Sequence, residues 1–79
     1  MRKSIVAAAL GLALFASPAS AECISDLFKA KNHLQHTRLD HGTQARARML
    51  IEQAEMEKMD GDFERCSHFT RLLLRLLDL

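Results

Sequence analysis

Three groups of side chains in this 79-residue sequence are of types that support chemistry: a pair of cysteines, a histidine-rich stretch and a set of methionines. Cys23 and Cys66 are the only cysteines, and an even count in an oxidising compartment predicts one bridge within the chain. Closing a loop of about 44 residues restricts the unfolded chain by about 4 kcal/mol in the entropic model. No Cys-x-x-Cys pair is present, so the bridge reads as structural and not as a catalytic or metal-binding thiolate. His33, His36 and Asp40 are spaced by three and four, which would put them on one face of a helix as candidate ligands for a divalent metal. The plainer reading is a solvated face near a helix end, where the dipole favours histidine. Met49, Met56 and Met59 share another helical stripe. Thioether sulfur can hold Cu(I), but methionine also fills irregular cores, and packing against the first helix is the expected use.

Catalysis has little to stand on. Ser67 and His68 are neighbours in sequence and point about 100° apart on a helix, and Cys66 and His68 about 200° apart, so neither pair makes a nucleophile-to-base contact. No Gly-rich phosphate loop, zinc-protease helix motif or nucleophile elbow is present. Glu52 follows Arg48 by one turn, which reads as a charged, solvated helix face. The sequence therefore reads as non-enzymatic, with no cofactor and no small-molecule substrate expected, because so short a chain has difficulty enclosing a dry pocket.

The elements that must position these residues begin with an export segment. Met1–Lys3 is a short positive start, residues 5–16 are an uncharged apolar run, and Ala19-Ser20-Ala21 is the small-residue pattern cut by signal peptidase. The apolar run is too short to span a bilayer, which takes about 20 residues. Glu22 stands before Cys23, where lipoprotein processing wants a small residue. Residues 1–21 are thus expected to be a signal peptide cleaved after Ala21, with residues 22–79 a mature domain in the periplasm or outside the cell, where disulfides persist. The mature chain has nine basic and ten acidic side chains, a net charge of −1, which argues against nucleic acid as partner.

The mature composition, rich in Ala, Leu, Met, Glu, Gln, Lys and Arg and lacking Tyr, Trp, Val and Pro, is all-α. Gly42 and Gly61 fall where the apolar periodicity breaks and read as helix C-terminal caps, with Thr43 and Asp62 as the N-caps that follow and Ser25 capping the first segment. Three helices are expected, over 25–40, 43–59 and 62–78. Ile24, Leu27, Phe28 and Leu34 form the apolar side of the first. The second carries two apolar stripes, one through Ala47 and Ala54 and one through the methionines, and so asks for two neighbours. Short connections favour an up-down-up bundle, a helical hairpin plus an N-terminal helix, with Cys23 and Cys66 at matching helix starts where the bridge staples them. With alanines on its first helix and Gly61-Asp62 at its turn, the hairpin is similar to one unit of a tetratricopeptide-type repeat, over roughly 35 residues and without further copies.

The third helix carries the widest apolar arc, from Phe63 to Leu79, broken by Arg65, with Glu64, His68, Arg71, Arg75 and Asp78 on a polar strip. Leu72, Leu74 and Leu79 at its edges are expected to stay partly exposed as a docking patch. The expected function is a small exported protein that acts by protein–protein interaction, through an unidentified protein partner or self-association, as an accessory, inhibitory, chaperone-like or host-directed factor. Two rivals are a periplasmic metal-binding or copper-binding protein and an amphipathic protein lying on a membrane surface.

Overall fold

The computed structural model describes residues 18–79, so residues 1–17 of the expected signal peptide lie outside the described residues, while its last four, residues 18–21, form the first turn of a helix. Three helices follow in order: α1 (Pro18–His36), α2 (His41–Met59) and α3 (Phe63–Leu76). The chain is all-α among the described residues, and the expected staple is present: Cys23 and Cys66 are bonded, with their Cα atoms 5.5 Å apart. The bridge joins the early turns of α1 and α3, so these two run parallel and α2 runs back between them in sequence.

Both ends of α2 and the start of α3 follow local capping chemistry. Asp60 and Gly61 end α2; Gly61 takes a left-handed φ of 80° and the Asp62 amide donates to the Glu57 carbonyl, closing the last turn. Asp62 then accepts from the Arg65 amide at 3.1 Å and starts α3, as the sequence leads one to expect. The end of α3 repeats the device with Asp78 at φ 60° in place of glycine, and the Leu79 amide returns to the Leu74 carbonyl.

The α1–α2 junction differs from expectation. α1 ends at His36 and not at residue 40, Asp40 rather than Thr43 is the N-cap of α2, and Gly42 lies inside the first turn of α2 rather than capping α1. The cause is Leu39. On a continued α1 it would point about 160° away from Cys23 and into water; breaking the helix at Thr37 turns Leu39 onto the core. The start of α1 also differs, since the chain is helical from Pro18 and Ser25 is an exposed residue inside the helix.

Two linked clusters make the core. Near the bridge, Cys23, Leu27, Ala54 and Cys66 are buried, with Ile51, Phe63 and Phe69 packed on them. Toward the other end Ala30, Ala47, Leu73 and Leu77 are buried beneath Leu34, Leu39, Leu50 and Leu74. α3 packs extensively on both other helices, whereas α1 and α2 touch each other sparsely. The alanines on α2 let it lie close to α3, and the disulfide holds α1 to the other flank of α3. Two expectations fail for this reason. Ile24 and Phe28 are exposed, because Cys23 fixes which side of α1 faces inward and these residues lie 100° and 140° around from it. Met49, Met56 and Met59 do not pack on α1 and all three are exposed. One neighbour, α3, is what α2 chiefly buries against.

Candidate functional site

The most ordered polar constellation lies beside the disulfide and joins α1 to α3. Glu22 precedes Cys23 and Ser67 follows Cys66, so the bridge brings the two together. Ser67 donates from Oγ to Glu22 Oε1 at 3.1 Å, and Arg71, one turn further on, donates from Nε to Oε2 at 3.1 Å and from Nη2 to Oε1 at 3.0 Å. This two-pronged Arg–carboxylate pair is the geometrically specific kind. The hydrogen bonds from Arg71, then that from Ser67, hold the Glu22 carboxyl below the usual carboxylate range. Ser67 is 1% exposed, and the trio fastens α1 to α3. Thr70 is fully buried beside it and donates to the Ser67 carbonyl. Periodicity did not single out Glu22, Ser67 and Arg71; their signal was the position of the first two next to bridged cysteines.

The histidine trio does not assemble. His33 and His36 are on α1, where His36 Nδ1 lies 2.8 Å from the Asn32 carbonyl and His33 Nδ1 3.5 Å from Thr37 Oγ1. Asp40 is beyond the helix, and its Oδ2 accepts from the Thr43 amide at 3.0 Å, a bond that lowers its pKa. Among the described residues no group of three or more His, Cys, Asp or Glu side chains is placed to hold a metal ion. His68 sits edge-on to Phe69 with ring centroids 5.5 Å apart, remote in direction from Ser67.

Leu72 on α3 is 37% exposed and Leu79, beyond the end of the helix, 50% exposed, but Leu74 lies about 200° around α3 from Leu72 and is half-buried against the second core cluster, so the three leucines expected to form one patch do not share a face. On α1 and α2 the outlying apolar side chains are larger still, with Phe28 at 73% and Met59 at 84%. Between α1 and α2 runs an open groove of roughly 500 Å³ floored by Leu34 and Ile51 and edged by Lys31, Gln35, Arg48 and Glu52. Lys31 bridges it to Glu55.

The charges are divided along the bundle axis. The half around the disulfide cluster, residues 18–28 and 52–70, holds eight of the ten carboxylates against only Lys58 and Arg65, a net of −6. The other half, residues 29–51 and 71–79, holds seven of the nine basic side chains against only Asp40 and Asp78, a net of +5, and three of the four histidines. Two pairs reach across the boundary, Arg71 to Glu22 and Lys31 to Glu55. Setting them aside leaves −4 and +3. Comparison with protein-family models, with curated proteins and with solved structures finds no match to this chain.

Proposed function

We propose that the chain is a small exported, non-enzymatic helical protein that acts by binding another protein, as an accessory, inhibitory, chaperone-like or host-directed factor in the periplasm or outside the cell. The observation that supports this reading is the amount of large apolar side chain left in water on a 62-residue described segment, with Ile24, Phe28, Met49, Met56, Met59, Leu72 and Leu79 all exposed. Apolar side chains clustered at a surface mark interaction sites in soluble proteins. Leu72 and Leu79 are the exposed members of the docking patch, where a few side chains buried on binding dominate affinity, whereas Leu74 turns to the opposite flank of α3. Export is supported by the positive start, apolar run and Ala19-Ser20-Ala21 pattern, and by a disulfide that persists in oxidising compartments. Among the described residues no helix is long and apolar enough to cross a membrane.

The test compares the wild type with a Leu72→Ser/Leu79→Ser double variant in crosslinking and affinity capture from the compartment that holds the protein. The double variant is expected to keep its helicity and bridge while losing the partner that the wild type captures. Unfolding of the variant would make these leucines ordinary core. A wild type that captures no protein and binds only lipid vesicles would replace this reading with a membrane-surface one.

A further inference from the structure

The geometry points to a second copy of this chain as the occupant of the α1–α2 seam, docked antiparallel about a two-fold axis. This goes beyond the leucine patch on α3 and uses a different face. Ile24, Phe28, Lys31 and Gln35 recur at helical spacing along α1, and Arg48, Glu52, Glu55 and Met59 recur at the same spacing along α2. Lys31 pairs with Glu55 across the gap, so the two stripes flank one seam. Toward one end of that seam stand three separately exposed apolar side chains, Ile24 and Phe28 on α1 and Met59 on α2, which together are the tip offered to a partner. The other end is the groove floored by Leu34 and Ile51. Tip and groove lie on either side of the Lys31–Glu55 pair. Phe28 is about 9 Å from the level of Leu34 at 1.5 Å per helical residue, and a two-fold axis near Lys31 sets the tip of each copy over the groove of the other.

Charge selects the same arrangement. With the two internal pairs set aside, a parallel pair would set −4 against −4 and +3 against +3, whereas the antiparallel pair sets each acidic half on a basic half. Arg48 at the groove then faces the level of Asp60 beside the tip. Such a two-fold interface is self-complementary and closes as a dimer. The sparse contact between α1 and α2 within one chain is what leaves the seam free for it.

Sedimentation velocity on the oxidised protein, recovered after expression of the full chain, tests this directly. The wild type is expected to be a dimer at about 50 μM in low salt, with dissociation at least about tenfold easier in 0.5 M-range salt, where exposed charges are screened. Phe28→Glu is expected to give a monomer with unchanged far-ultraviolet circular dichroism and an intact bridge, and Arg48→Glu to weaken the dimer. Leu72→Ser/Leu79→Ser is expected to leave the dimer intact, which separates this interface from the leucine patch. A wild type that stays monomeric at every salt concentration overturns the proposal. So does a dimer indifferent to both seam variants. A monomer that instead is held on heparin through its basic half also overturns it and makes a polyanion the partner.

Discussion

Arg71 grips the Glu22 carboxylate with two nitrogen atoms, at 3.0 and 3.1 Å, across 49 positions of sequence. It is a tie between α1 and α3 separate from the covalent one at Cys23 and Cys66, and it sets part of the acid response of the fold.

Glu22 has a carboxyl pKa below its unfolded value because Arg71 and Ser67 bond to the charged form. Its stabilising contribution is therefore present above the ordinary glutamate range near pH 4.3 and is lost as pH falls through the lower folded value. Asp40 behaves alike through Thr43. Thermal melts between about pH 6 and pH 2 are expected to show the wild-type midpoint falling on the acid side. Glu22→Gln is expected to lower the midpoint at neutral pH and flatten that acid slope. A variant with the full wild-type slope would show that the pair contributes nothing to folding.

Opening the bridge has a larger expected effect. Reduction, or Cys23→Ala with Cys66→Ala, is expected to remove about 4 kcal/mol and to leave a partly helical, loosely packed chain at ordinary temperature, since both cysteines are fully buried in the first cluster. Denaturant titration with and without reductant measures the difference. Retention of the oxidised midpoint under full reduction would mean that the apolar core suffices alone.

The two glycines of the described chain are expected to respond with opposite signs. Gly61 holds φ at 80°, where an alanine is strained by about 1 kcal/mol, although a Cβ there would meet open space. Gly42 is helical, and a Cβ would come no nearer than 3.4 Å, to Asp40 Oδ2. Gly42→Ala is thus expected to stabilise by about 0.5–1 kcal/mol. Chemical denaturation of both variants checks this, and equal destabilisation would return Gly42 to the role of a helix cap.

The parts of this architecture visible in sequence were those fixed locally. Gly61 and Asp62 mark the α2–α3 turn because a left-handed residue followed by a side-chain cap needs no distant partner. Cys23 and Cys66 followed from their number and from the matching helix starts. Asp40, Gly42 and Thr43 offered two competing cap solutions, and Leu39 chose between them through a contact with the distant core that spacing alone does not encode. The rotation of α1 was hidden for the same reason: Ile24 and Phe28 are as apolar as Leu27, and only the bond to Cys66 decides which of them turns inward. Ser67 and Thr70 look like surface residues by type, yet are buried because Glu22 and the Ser67 carbonyl satisfy their hydroxyls.

The sparse contact between α1 and α2 also governs the order in which the molecule can come into being. Synthesis delivers α1 first, but the surface that shelters it is on α3, which emerges last of the three. Until then α1 and α2 are nascent segments without a scaffold, and Cys23 waits for a thiol 43 positions downstream. The α2–α3 hairpin, whose contacts are nearer in sequence, is the natural seed, with α1 swinging in to lock it. A ribosome that still holds α3 therefore holds a chain whose two cysteines are not yet side by side.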